Sequence, residues 1–331
     1  RALGDIAWDE LALRETARFT HEMNQIHVMD PDHFVFASDE LFTMFTLIEK
    51  LLKRGNAYQN DGWVYFSVAS DPTFGQLADA AGLHGYDNLL ATANQNGNDP
   101  DDPRKRDPLD FLLWRGETPG EPSWPSPWGV GRPGWHIECS AMATKYLGPQ
   151  VDIHGGGTDL IFPHHSCEIA QSENATDVHP FARHWMHVGM VALDGVKMSK
   201  SLGNLIIVNQ LLANYTPDAV RALLASHQYR EKWEYFESDM QRAQALTDQL
   251  KTAATGDASE DTAEVVSVTA QLANTFMQAI DNDLDTPGAL AALDLLAQRI
   301  TSEELPAEEL PIARGTLRAL AHLLGMELAR V

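Results

Sequence analysis

Lys197-Met198-Ser199-Lys200-Ser201 is the stretch on which the reading of this chain turns. Asp194-Gly195 opens it and Leu202-Gly203-Asn204 closes it. Two lysines and two serines on a Gly-flanked loop suit the gripping of a polyphosphate, because an ammonium group can follow charge as it moves onto a departing phosphate. Working back from the loop, Gly131-Arg132-Pro133-Gly134-Trp135-His136-Ile137-Glu138-Cys139 lies upstream. Between the two lies Asp152-Ile153-His154-Gly155-Gly156-Gly157-Thr158-Asp159-Leu160-Ile161-Phe162-Pro163-His164-His165. A lysine/serine loop alone is usually solvated surface; the order of all three pieces is far more specific.

With these residues in hand, the chain resembles a cysteinyl-tRNA synthetase, a class I aminoacyl-tRNA synthetase, over nearly its whole length. The similarity is densest from Asp107-Pro108-Leu109-Asp110-Phe111 to Asn204. The resemblance implies an α/β fold: part of a Rossmann-type class I catalytic domain with an inserted segment, followed by a C-terminal α-helical bundle. Of that family's two ATP motifs only the lysine loop is present, and no His-x-Gly-His turn occurs in the sequence. The chain begins with Arg1 rather than Met, so the expectation is a fragment or a processed form. Truncation and a degenerate paralogue both remain open.

The expected organisation is a helical part of the catalytic domain over 1–56, a connective insertion over 57–130 and the second Rossmann half over 131–192. The lysine loop and a stem-contact region then occupy 193–245, and a helical anticodon-binding-type domain 246–331. Helical spacing predicts one helix from about Trp8 to Asn24. A second is capped by Ser38 and stopped at Gly55, with Leu41, Phe42, Phe45, Ile48, Leu51 and Leu52 buried. Alternation over 57–68 predicts a strand or hairpin, and the polar tract Asn94–Pro108 a surface loop. From Val151 the pattern reads strand, Gly-rich turn, helix and a strand near Trp185–Val191, one βα unit of a doubly wound sheet. Thr216-Pro217-Asp218 and Thr286-Pro287 read as helix starts with Pro in the first turn, Leu223–Tyr229 and stretches around 265–281, 287–300 and 310–325 as a bundle, and Ala253–Thr262 as a linker.

Composition is that of an ordinary globular protein, with no apolar run of membrane-spanning length and nothing that reads as a leader. Two cysteines do not make a disulfide framework, so a reducing, cytoplasmic setting is expected. The net charge of −23 repels nucleic acid at long range. Salt limits that repulsion to about 8–10 Å, so a local basic strip remains compatible with RNA.

Zinc takes thiolate, imidazole and carboxylate ligands. The resemblance maps such ligands onto Cys139, His164 and Glu168, with a further cysteine expected near the first ATP motif. Cys139 ends what reads as a strand, and His164 and Glu168 are four apart, on one face of a helix. Cys167 is read either as a small buried residue or as a member of the metal shell; His165 reads as structural. A metal would separate cysteine from serine, which apolar pockets discriminate poorly. By resemblance Trp135 and His154 line the cysteine pocket, although alone they would read as a core residue and a strand-end residue. Also by resemblance, ATP with Mg2+ is bound by Gly156, Asp159, His187 and Lys200. Lys200, supported by Lys197, is the catalytic candidate.

The implied activity is cysteine–tRNA ligation: L-cysteine and ATP give cysteinyl-adenylate, and the cysteinyl group passes to tRNA(Cys), by a monomeric protein. The alternative is the cysteine ligase of mycothiol biosynthesis, which forms the same adenylate but passes cysteine to an amino-sugar inositol. His154, the run Glu168–Glu173 and Ser201–Asn204 favour the synthetase, whereas the acidic charge and the short helical end favour the ligase. A non-catalytic module is the reading from a different class.

Overall fold

The computed structural model describes residues 6–200, 202–259, 267–302 and 304–328. It divides into two compact units, one of residues 31–188 and one that joins residues 1–30 to residues 189–331. The first helix, α1 (Trp8–Gln25), belongs to the latter.

In the 31–188 unit a 3-10 turn over Ala37–Glu40 leads into α2 (Leu41–Arg54). Ser38 therefore lies inside the turn and caps nothing, against expectation. Gly55 ends α2 at φ 85°, a left-handed position open to glycine without strain. The buried stripe is Met44, Leu47, Ile48 and Leu51, at helical i, i+3, i+4, i+7 spacing. Of the expected face, Ile48 and Leu51 are buried and Leu41, Phe45 and Leu52 pack against the same core, but Phe42 falls on the opposite side and is 85 % exposed.

Residues 57–133 contribute an antiparallel sheet of β1 (Ala57–Asn60), β2 (Trp63–Phe66), β3 (Phe111–Gly116) and β4 (Gly131–Pro133), in that order. Asp61-Gly62 joins β1 to β2 with both φ positive, at 51° and 77°, the backbone of a tight two-residue hairpin. Two helices, α3 (Gln76–Ala80) and α4 (Tyr86–Gln95), separate β2 from β3. The tract expected as loop from Asn94 thus begins in a helical end. Asp110 anchors that tract: its buried carboxylate accepts from Tyr58 Oη at 2.7 Å, Val68 N at 2.9 Å and Asp107 N at 3.0 Å.

Gly134 then admits α5 (Trp135–Leu147) against β3, because a Cβ there would lie 2.1 Å from the Leu112 carbonyl oxygen. Cys139 is consequently on a helix, not at the end of a strand. Next come β5 (Val151–Gly157), α6 (Ser166–Thr176) and β6 (Ala182–Val188). The strands pair in parallel, Gly156 opposite His187, which is the βα unit expected. The three glycines extend β5 rather than turning it. A Cβ at Gly156 would meet the His165 ring and Leu160 at 2.9 Å, so close packing explains at least one of them. Among the described residues no third strand pairs with β5 or β6, and Ile153 on β5 is 65 % exposed.

In the other unit β7 (Val191–Leu193), β8 (Val196–Lys197) and β9 (Trp233–Glu234) form a small sheet in the order β8-β7-β9. Helices α7 (Val208–Leu212), α8 (Pro217–Ala225), α9 (Glu237–Ala254), α10 (Val268–Asp281), α11 (Thr286–Thr301) and α12 (Leu310–Leu323) make up the rest. Thr216 caps α8 as expected, its side chain accepting from Ala219 N. For α11 the cap is Asp285, one residue earlier than expected, accepting from Gly288 N. Leu250, Phe276, Leu293, Leu296 and Leu317 are at the centre of the core that α8–α12 share. α9 runs to Ala254 and so takes in the first two residues of the expected linker; residues 255–259 are non-helical as expected, and 260–262 lie outside the described residues.

Candidate active site

Close entry of α5 over β3 and the start of α6 bring together side chains far apart in sequence. The ligand atoms of Cys139, His164 and Glu168 all lie within 4.8 Å of one another. A tetrahedral zinc ion with bonds of ~2.0–2.3 Å needs ligands about 3.3–3.8 Å apart, so a small contraction would complete the set. Glu168 is 0 % exposed and its Oε1 has no hydrogen-bond partner among the described residues. An orphaned buried carboxylate oxygen is costly unless a cation or donor meets it. Sulfur, imidazole nitrogen and carboxylate oxygen are also a donor set that zinc accepts. The residues fit the metal.

A ring of imidazoles surrounds the carboxylate. His154 Nε2 lies 3.2 Å from Glu168 Oε2, His164 Nε2 3.5 Å and His165 Nε2 3.9 Å. His136 Nδ1 meets His164 Nδ1 at 2.9 Å, and His165 Nδ1 meets His187 Nε2 at 2.8 Å. Burial pushes His136 and His165 down to about 3, with neighbouring imidazoles adding to the effect. Burial lowers His164 as well, against the pull of Glu168. Neutral imidazole is the metal-binding form. Burial, then Glu168 and Glu138, hold the Cys139 thiol up at about 12 in the metal-free chain; a bound cation would reverse that.

Trp135 is exposed at the head of α5 and stacks on His164 with ring centroids 4.4 Å apart. His154 projects from β5 to the same carboxylate. Both cysteine-pocket candidates therefore border the metal set. Cys167 does not join it: it is buried in the core with Met44, Phe162 and Ile137. A second group, His154, His165 and Glu168, also has its donors within 4.8 Å of one another. The sequence reading missed it, although His165 and Glu168 stand three apart, the signal that could have revealed a shared face.

Gly156 and His187 are neighbours across the β5–β6 pair, and exposed Asp159 follows β5 in a 3-10 turn. Lys197 ends β8 and Lys200 lies in the loop beyond it, both exposed and both in the unit of residues 1–30 and 189–331. Asn204 closes that loop, its Oδ1 accepting from Ser199 N at 2.9 Å and its Nδ2 donating to Lys197 O at 3.2 Å. Asp194-Gly195 forms the preceding turn with both φ positive, at 52° and 73°.

Residues 3–245 match the family described as the tRNA synthetases class I (C) catalytic domain. The chain belongs to that family, and its α/β fold with C-terminal helices is that of a class I synthetase. More particularly, it is 41 % identical over 323 residues to the L-cysteine:1D-myo-inositol 2-amino-2-deoxy-alpha-D-glucopyranoside ligase of Thermomonospora curvata, covering 97 % of this chain and 75 % of that protein. It is 45 % identical over 293 residues to the ligase of the same name from Parafrankia sp., covering 88 % of this chain and 64 % of the relative. Among solved structures, methionyl-tRNA synthetase of Mycobacterium tuberculosis with methionyl-adenylate superposes with TM-score 0.63 at 15 % identity, over 98 % of this chain and 79 % of that one. A likeness at that identity speaks to the fold. No helix among the described residues is long and apolar enough to cross a membrane.

Proposed function

We propose that this chain supplies the cysteine-activating centre of a ligase that joins cysteine to the amine of an amino-sugar glycoside of inositol. The single observation that carries cysteine activation is the Cys139–His164–Glu168 donor set, bordered by Trp135 and His154. Relatives at 41 % and 45 % identity that are named for this acceptor support the second half. They favour the alternative of the sequence analysis over tRNA, and the charge of −23 points the same way.

In the proposed reaction the cysteine carboxylate attacks the ATP α-phosphorus in line, and the bond to the bridging oxygen breaks to release pyrophosphate. The free amine of the acceptor then attacks the carbonyl carbon of the mixed anhydride. AMP leaves, and the nitrogen gives up a proton. Zinc held by Cys139, His164 and Glu168 would supply a cationic partner for a thiolate, which the harder-to-ionise serine hydroxyl matches poorly. His154 orients the amino acid and Trp135 walls its pocket. Gly156 and His187 receive the adenosine, Asp159 its ribose hydroxyls, and Lys200 with Lys197 the polyphosphate with its Mg2+. Their contribution is positioning and charge stabilisation rather than covalent chemistry.

The test is cysteine-dependent ATP–pyrophosphate exchange, followed by transfer of labelled cysteine to glucosaminyl inositol or to tRNA(Cys). Transfer to the amino sugar and not to tRNA is expected. Transfer to tRNA alone would overturn the acceptor assignment and restore the synthetase reading.

A further inference from the structure

Trp135 and His136 also line a cavity in the 31–188 unit. It has a volume of about 480 Å³ and is bounded by the segment after α4, by β2–β4 and by the start of α5. Its wall carries Trp63, Arg104, Lys105, Arg115 and Arg132, with Asp99 and Asp102 as the carboxylates. In a chain of net charge −23, that is a local excess of cations. None of these residues has a role in the chemistry above.

The wall is held rigidly. The Arg104 guanidinium lies 3.9 Å over the Trp63 ring and that of Arg115 at 5.7 Å. Arg104 Nε donates to the buried Asp102 carboxylate at 2.8 Å, and Tyr65 Oη donates to the same group at 2.6 Å. Arg132 Nη1 donates to Glu121 at 2.9 Å. Asn60 Nδ2 ties the Arg104 carbonyl at 2.9 Å. A wall fixed in this way loses little freedom when a ligand arrives.

Resting on the function proposed above, we infer that this cavity is the subsite for the polyhydroxylated acceptor. The sugar and cyclitol rings pack against the exposed ring of Trp135, while Arg104 and Arg115, backed by the Trp63 ring, and Arg132 hold their hydroxyls. Three features match that ligand. Each ring has an apolar C–H face that an aromatic ring can cover. Vicinal hydroxyls accept paired hydrogen bonds from a guanidinium fork. With Asp102 paired to Arg104 and Glu121 to Arg115 and Arg132, the wall keeps a small cationic surplus, which suits a ligand rich in lone pairs better than one that is strongly cationic. Position agrees as well, because Trp135 and His136 both line the cavity and contact His164 of the metal set.

Calorimetric titration of the chain, loaded with zinc, tests the inference with synthetic glucosaminyl inositol and, separately, with L-cysteine. Trp63→Ala and Arg115→Gln should each weaken acceptor binding by about tenfold or more and leave cysteine binding within about twofold. Thermal melting of each variant reports whether it folds, and either folded variant suffices. Acceptor binding unchanged in a folded variant would overturn the cavity assignment while leaving the proposed function in place. Absence of acceptor binding by the parent chain, together with binding of an RNA ending in CCA, would overturn both.

Discussion

Replacement of Glu168 by glutamine keeps the side-chain shape but removes the anionic oxygen on which three imidazoles and the Cys139 thiol converge. At a zinc concentration one hundred times its dissociation constant, binding stabilises the folded chain by about 2.7 kcal/mol. The donors all belong to the unit of residues 31–188. For a unit of that size each kcal/mol moves Tm by about 2–4 °C, giving a zinc-induced rise of about 5–11 °C. Loss of one direct ligand should weaken binding at least as much as loss of a supporting partner does, about a hundredfold at the upper end. The variant would then be half saturated, gaining about 0.4 kcal/mol and about 1–2 °C. Differential scanning fluorimetry with and without zinc measures the two shifts, each protein serving as its own control. A full zinc shift in Glu168→Gln would refute the assignment of this carboxylate as a ligand, and so would no shift in the parent chain.

Lys200→Ala should lower cysteine-dependent ATP–pyrophosphate exchange by about 10²–10³-fold, while zinc per chain, read by elemental analysis, is unchanged. Gly134→Ala should destabilise the 31–188 unit by about 2–4 kcal/mol, because the new Cβ would sit 2.1 Å from the Leu112 carbonyl oxygen; urea denaturation measures it. Glu40 tests the electrostatics. Lys145, then Thr43 and Tyr146, hold its carboxyl down at about 2, against 4.5 when unperturbed. A depressed carboxyl contributes stability that is fully present above about pH 4.5 and is lost as the pH falls through about 2. Glu40→Gln should therefore lower stability at pH 7 by about 1–2 kcal/mol and flatten the acid limb of the stability–pH curve; an unchanged acid limb would remove that role.

The elements that the sequence made legible are those with local punctuation. Gly55, Thr216 with Pro217, and the Asp194-Gly195 turn each announce a backbone state that few other residues adopt, and each is found where expected. Where packing overrides local signals, the reading slipped. Ile137 beside Cys139 reads as strand, but Gly134 lets the chain pass against β3 and begin a helix. The glycines at 155–157 read as a turn, yet they continue β5 because the His165 ring occupies the space a side chain would need at Gly156. Phe42 matches a helical apolar stripe as well as Met44 does, and only the position of the neighbouring core selects between them. At the site, the i, i+4 pair of His164 and Glu168 was visible in sequence. The convergence of His154 and His165 on the same oxygen was not, since it depends on how β5 lies beside α6.

The open border of the β5–β6 pair bears on how the chain behaves in concentrated solution. Parallel strands are normally covered on both faces and flanked by others, whereas here Ile153 is largely exposed and no third strand pairs with them among the described residues. Unpaired backbone beside an exposed isoleucine invites edge-to-edge association. Titrations of this chain thus need to be compared across protein concentrations before a change is credited to the ligand alone.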